Sequence, residues 1–324
     1  MVFIGEIETA PSIGSIGRIC LDSENDRLKG LLTQQVDSKA ELMGLLEMSL
    51  SGLDPSSASR VTLRCFAGPD LRRLSNFLGL NYSFGPFRIG LEAAVPLNGR
   101  GHLLYLGDNL ESRIPSSRVI ANERRLTNLA RQAAQRPARS LPNGYHASLL
   151  PPGFGLESGD LNDVVGIYAQ AYRSYTVDLG LESVGRMVRN GLTGIVRNLE
   201  GQIVSLTVGE IVQAGRFSLC EISDSATDPG EATGGLNIQA KMAVIGELVR
   251  RNIDVIFTET RANQAAVQIG NFRLGLEPCG FLPWHCQISS ELTDVVDPTD
   301  QGFGSLIVFS LSDRSRRQYE EIGN

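Results

Sequence analysis

Residues Phe217 to Arg251 constrain this chain more than any other stretch. The run Phe217-Ser-Leu-Cys-Glu-Ile-Ser-Asp-Ser-Ala226 reads as a strand and leads to Asp228-Pro229. Gly230-Glu-Ala-Thr-Gly-Gly235 follows, and then a helical pattern that closes on Arg250-Arg251. A strand passing through a glycine-bearing turn into a helix predicts an anion site. The first N–H groups of a helix have no internal partner, and the helix dipole adds to their pull. A phosphate-bearing cofactor suits such a site. Glu221 and Asp224 on the incoming strand place carboxylates beside it and predict acid–base chemistry. Strict alternation sets these two on opposite faces of the strand, so both reach one cleft only if a bulge intervenes.

The elements around this segment follow an α/β order. Periodicity predicts helices over 160–172 and 182–189, strands at 194–198, 203–212 and 217–227, and the helix after Gly235. A strand at 255–260, a helix at 263–274 and strands near 279–288 and 305–311 complete the set, which predicts a mixed sheet with helices on both faces. Upstream, a helix at 38–50, a strand at 61–66, a short helix from Gly68 to about Gly79 and strands at 87–95 and 102–106 are expected. A charged helix from Ser116 stops before Pro137, and Pro142-Asn-Gly144 and Pro151-Pro-Gly153 mark linker chain. The expected division is a partial domain over 1–115, a linker helix over 116–144, a complete domain over 145–311 and a C-terminal tail over 312–324.

A long-range echo supports two units. The strand at 61–66, a helix, Leu78-Gly79-Leu80 and two strands match the strand at 255–260, a helix, Leu274-Gly275-Leu276 and two strands, at a separation of about 195 residues. That period is too long for a solenoid. It reads as two related domains in tandem, the first lacking its front half.

Composition narrows the classes. At 324 residues the chain exceeds the usual single compact domain, and 42% hydrophobic with 20% charged residues is globular. A net charge of -6 argues against nucleic acid as the main partner. The cationic residues are nearly all arginine, with Lys29, Lys39 and Lys241 as the exceptions, which leaves few candidates for a catalytic lysine. Five scattered cysteines without C-x-x-C spacing fit reduced thiols in the cytoplasm. No signal-peptide pattern and no membrane-length apolar run is expected. Metal-ligand spacing, G-x-S-x-G, a Walker loop and G-x-G-x-x-G are all missing from the sequence. His285 between Trp284 and Cys286 reads as a structural histidine, and Arg250-Arg251 as complements to a helix C-terminus.

The element order, with its glycine-bearing turn after the fourth strand, resembles the GNAT superfamily of acyl-CoA-dependent N-acetyltransferases. More closely the chain resembles the β-lysine N-acetyltransferase family, which joins a partial GNAT-like domain to a complete one. The resemblance rests on Glu24-Asn-Asp-Arg27, Leu78-Gly79-Leu80 and Leu91-Glu-Ala-Ala-Val-Pro96, and on Tyr175 and Glu221-Ile-Ser-Asp-Ser-Ala226. It continues through Asp228-Pro229, Gly235-Leu236, Arg261-Ala262, Leu274-Gly275 and Gly280.

The resemblance implies an acyl-CoA N-acyltransferase fold, acetyl-CoA as acyl donor, no metal, and a small amino-acid or diamine-like amine as acceptor. It implies no nucleic-acid or membrane partner and admits a homodimer. The turn Ala232, Thr233, Gly234, Gly235 and Leu236 would hold the pyrophosphate, with Asn263 at the next helix start also facing the cofactor. Backbone N–H groups near Ala226 and Thr227 would polarise the thioester carbonyl. Glu221 is the favoured base, Asp224 the acceptor anchor, and Tyr172 and Tyr175 line the acceptor site.

Departures are plain. Ala232 and Thr233 stand where the superfamily has a polar or cationic side chain and a glycine, and Asn271 stands where many members have a tyrosine that protonates the leaving thiolate. Tyr175-Thr-Val-Asp-Leu179 replaces a proline- and aromatic-bearing acceptor segment. Three alternatives stay open: a non-catalytic acyl-CoA-binding or partner-binding module on a degenerate scaffold, a longer acyl donor or peptide acceptor, and purely structural roles for the two carboxylates.

Overall fold

Helix α1 (Lys39–Leu50) shows how the sequence sets local structure. The Ser38 hydroxyl accepts from the Glu41 N–H at 3.2 Å while the Glu41 carboxylate accepts from the Asp37 N–H at 2.7 Å, a reciprocal cap that closes the helix N-terminus. Leu42, Leu45, Leu46 and Leu50 then form its buried stripe. The protein is described by a computed structural model covering residues 17–22, 25–69, 77, 79–136, 140–150, 159–172, 180–231, 235–287 and 303–323. The short helix expected from Gly68 to Gly79 falls largely outside the described residues.

Strands β1 (Gly17–Asp22) and β2 (Arg27–Val36) precede α1, and β3 (Arg60–Ala67), β4 (Tyr82–Phe84), β5 (Phe87–Pro96) and β6 (His102–Asn109) follow it. Helix α2 (Ser117–Ala134) leads to β7 (His146–Leu149), α3 (Gly159–Ala171), α4 (Leu181–Asn190), β8 (Leu192–Arg197), β9 (Ile203–Ala214) and β10 (Phe217–Thr227). Then come α5 (Leu236–Arg250), β11 (Val255–Arg261), α6 (Ala265–Arg273), β12 (Leu276–Gln287), β13 (Phe303–Leu311) and α7 (Asp313–Gly323). Residues read from the sequence as a tail therefore hold a helix, and β1, β2, β4 and β7 have no counterpart in the sequence reading.

The 13 strands make one mixed sheet in the order β1-β2-β3-β6-β5-β12-β13-β11-β10-β9-β8-β7, with β4 on β5. β1-β2-β3-β6-β5 and β9-β10-β11-β13-β12 have the same order and the same sequence of antiparallel, parallel, antiparallel and antiparallel pairings. They meet where β5 and β12, the corresponding strands, pair antiparallel at Ala93 and Gly280. A side chain on Gly280 would put its Cβ 2.1 Å from the Ala93 Cβ, so the seam requires glycine there.

The sheet curls until its two halves face one another. Phe66 on β3 stacks on Phe217 on β10 with ring centroids 4.7 Å apart, though these strands are far apart in the sheet order. Val95, Tyr105, Phe257, Leu282 and Val308 complete this shared core, and each fully buried side chain of this kind contributes about 1.5–3 kcal/mol. The outer faces carry helices: α1 covers the first half, and α5 packs Val244, Ile245 and Leu248 against Cys220, Ile222 and Ile256 in the second. Among the described residues, no helix is long and apolar enough to cross a membrane.

Candidate active-site cleft

β10 and β11 are parallel neighbours over Leu219–Glu221 and Val255–Phe257, and there the pairing stops. β10 continues along β9 and β11 along β13, so the two strands splay apart. A cleft of about 520 Å³ opens in the wedge. Its β10 wall is bent by a bulge between Ser223 and Ala226, where Asp224 takes φ 45°. Left-handed backbone is strained for a residue other than glycine and is best tolerated by Asp and Asn. Here it is held by hydroxyls. Tyr168 donates to the Asp224 carbonyl at 2.5 Å, Tyr172 to that of Ser225, Thr207 to that of Ser223 and Ser205 to that of Ala226.

The bulge resolves the alternation problem posed by the sequence. Glu221 and Asp224 both line the cleft, with Ser225, Thr227, Glu259 and Tyr172. Unpaired strand edge is well suited to an extended ligand arm carrying amides, because such an arm adds to the sheet as a strand does. At one end of the cleft stands the N-terminus of α5, capped by Gly235 at φ 73° with no side-chain hydrogen bond to the helix. The equivalent end of α1 is closed by Ser38 and Glu41. The Ile238 N–H of α5 donates to the Gly235 carbonyl at 2.9 Å, which leaves those of Leu236 and Asn237 as the kind of helix-end donor that binds an anion.

The cleft has two sides. Leu219 and Phe257 belong to the inner core between the halves, whereas Cys220, Ile222 and Ile256 belong to the core under α5. By alternation Glu221 and Glu259 face inward and Thr260 faces the helices. On the inner side Arg64 from β3 reaches the Glu221 carboxylate at 3.5 Å, and Tyr105 donates to Glu259 at 3.0 Å. Burial opposes ionisation of Glu221, while nearby cationic groups, Arg64, Lys29 and Arg27 among them, hold the carboxyl below the usual range. Burial, joined by the Arg27 and Arg64 charges, brings Lys29 down to about 8.

Around this pair, arginines of the first half tie down the irregular segment of β12. Arg60 donates to the carbonyl of Pro283 and to His285 Nδ1, Arg113 to the carbonyls of Trp284 and His285, and Arg27 to that of His285. Burial and these cations push the His285 imidazole well below its usual range, so it stays neutral and structural.

On the helix side the ammonium of Lys241 donates to Asn271 Oδ1 at 3.3 Å, and Asn271 Nδ2 donates to Thr260 Oγ1 at 2.8 Å. Lys241 and Asn271 are buried and line the cleft. Burial alone brings Lys241 down to about 8.

The remaining expected site residues are placed as follows. Ala226 is buried and Leu236 packs with Val196, Val204 and Ala240, so either would act through its backbone. Asn263, in the turn before α6, keeps its Oδ1 buried without a hydrogen-bond partner among the described residues and is not among the lining residues. Ala232, Thr233, Gly234 and Tyr175 lie outside the described residues. Sequence reasoning missed Lys241, Glu259, Lys29 and Arg64. One signal was available: two of three lysines in an arginine-dominated chain are buried, Lys241 lining the cleft and Lys29 within reach of the Glu221 and Glu259 charges. Among the described residues no group of three His, Cys, Asp or Glu could hold a metal ion.

No family model matches this chain, and no curated protein does. Among solved structures it is similar to the ribosomal-protein-S18-alanine N-acetyltransferase of Escherichia coli, with 18% identity over 52% of this chain and 92% of that one, at a TM-score of 0.39. It is similar to the ribosomal-protein-S5-alanine acetyltransferase of Vibrio fischeri, with 13% identity over 55% of this chain and 98% of that one, at 0.40. A GNAT family acetyltransferase from Elizabethkingia anophelis with acetyl-CoA bound matches at 11% identity over 53% of this chain and 99% of that one, at 0.36.

Proposed function

We propose that this chain is an acyl-CoA-dependent N-acetyltransferase of the GNAT type, acting on the amine of a small amino-acid or diamine-like metabolite. The observation that carries the reading is the wedge between β10 and β11, bent by the Ser223–Ala226 bulge and ending at the open N-terminus of α5. Acetyl-CoA matches each part: phosphates for the helix end, amides for the free strand edge, and a thioester at the bulge. Its carbonyl is the group that strand N–H donors would polarise.

On the inner side, Glu221 is a fixed negative charge that attracts the acceptor's ammonium, with Arg64 and Lys29 among the cations that favour its ionised form. Asp224, at the bulge, takes the ammonium's proton through water before attack. The sequence favours the opposite assignment; the Arg64 contact is the reason for this one. The first half, in this reading a related but partial domain, shapes the acceptor side through β2, β3 and β6. Free thiols at all five cysteines suit a cytoplasmic enzyme.

The test is calorimetry with acetyl-CoA together with thioester consumption over a panel of amino acids and diamines, β-lysine included. Binding and turnover with at least one amine are expected. Absence of both from the wild-type protein would sink the proposal. Binding without turnover would favour the non-catalytic module, a reading to which the ion-paired Glu221 lends support.

A further inference from the structure

A buried ammonium without a carboxylate is unusual, because burial of a charge is costly unless a counter-ion or a function accounts for it. Lys241 is 4% exposed, and its hydrogen-bond partner among the described residues is the neutral amide of Asn271. That amide is itself oriented by Thr260, so its oxygen is fixed toward the ammonium. The other charged groups that line the cleft are Glu221 and Asp224 on β10 and Glu259 and Arg261 on β11. None of them forms an ion pair with Lys241 among the described residues. Glu221 and Glu259 stand on the inner side of the wedge, across the splayed strands from it.

That arrangement puts anionic groups on one side of the wedge and a cationic donor on the other. Acyl transfer in the wedge needs this polarity, since a nucleophile enters from one side and a leaving group departs on the other. We propose that Lys241 is the proton donor to the sulfur that leaves when the acyl group is transferred. The acceptor's neutral nitrogen forms the C–N bond, the C–S bond breaks, and its electron pair goes to sulfur. Lys241 Nζ gives its proton to sulfur, yielding free CoA thiol and a neutral amine. The proton lost by the acceptor returns to Lys241 through solvent, so the cycle needs no further reactant. Proton transfer is most effective when donor and acceptor have similar affinities, and a thiol near 8.5 is close to an ammonium brought to about 8. Asn271 positions the donor and does not itself transfer the proton.

This inference rests on the acetyl-transfer reading, and the experiment separates the two. The ultraviolet thiolate absorbance of CoA bound to the intact protein is titrated for wild type, Lys241→Met and Lys241→Arg. Lys241→Met is near-isosteric and apolar, so it should fold, and circular dichroism checks that. Wild type should lower the bound thiol's pKa relative to free CoA; Lys241→Met should return it to the free value or above, and Lys241→Arg should keep part of the shift. Turnover by Lys241→Met should fall by about 100-fold or more. CoA binding with the same thiol pKa in wild type and Lys241→Met would overturn the role of Lys241 and leave the acetyltransferase reading standing. Failure of the wild type to bind CoA at all would overturn both.

Discussion

At the scale of single residues, the question is which carboxylate does what. The folded-state pKa of Glu221 lies below its unfolded value, so the group contributes stability that is present above the usual carboxylate range. That contribution is lost as pH falls through the folded value. Arg64→Met removes one of the cations that favour the Glu221 carboxylate and should cost about 2 kcal/mol at pH 7. The loss should shrink toward pH 4, where a protonated Glu221 needs no partner. Urea unfolding at both values measures this, and an equal loss at each would show that Arg64 acts through packing alone. In turnover, Glu221→Gln should mainly raise KM for the amine, whereas Asp224→Asn should lower kcat. An unchanged kcat in Asp224→Asn would remove it as the base. The carboxylates themselves were legible in the sequence. Their shared cleft was not, because Ser-Asp-Ser gives no sign of the left-handed φ that builds the bulge. Lys241 and Asn271 were equally hidden, since they meet by the packing of two helices.

At the scale of elements, the two strand-to-helix connections are a controlled pair. β2 ends at Val36 and α1 starts at Lys39, with the Glu41 N–H held by the Ser38 hydroxyl and the Asp37 N–H ahead of the helix held by the Glu41 carboxylate; β10 ends at Thr227 and α5 starts at Leu236 behind Gly235. Ser38→Ala should therefore lose about 1 kcal/mol of stability and leave CoA binding unchanged. Gly235→Ala, at φ 73°, should cost a comparable 1–2 kcal/mol or so and also weaken CoA binding. Equal affinity for CoA in Gly235→Ala would place the phosphates elsewhere. The strand β10 and its helix were readable because alternation and helical periodicity are both clean there. β2 escaped notice because Arg27 and Lys29 stand where a half-buried strand normally carries apolar residues. Their partners, Asp22, the His285 carbonyl and the Glu221 charge, are mostly far away in sequence. A strand whose inner face is cationic can be recognised only once its acidic counterpart is known.

At the scale of the whole molecule, the halves are joined by the β5–β12 seam and by the inner core around Phe66 and Phe217. Gly280→Val should force the seam open, because the added side chain collides with Ala93. The expected outcome is a denaturation profile split into two steps, with reduced turnover as Arg64 moves away from Glu221. A single transition at the wild-type midpoint would show that the inner core holds the halves together without the seam. The echo at about 195 residues was visible in the sequence from β3 onward. Its extension back through β1 and β2 was not, for the reason given at the smaller scale.

The meeting of β5 with β12 is the geometry two copies of one protein adopt about a two-fold axis, where each surface patch faces its own likeness. Separate copies share one gene, so every substitution appears on both sides of the axis and their two sites stay identical. On one continuous chain that bond is broken. Ser38 can seal one helix end while Gly235 leaves the other open, and Lys29 and Arg64 can serve a carboxylate that is not their own half's. The division of labour between the halves is open to one continuous chain and closed to an assembly of equals.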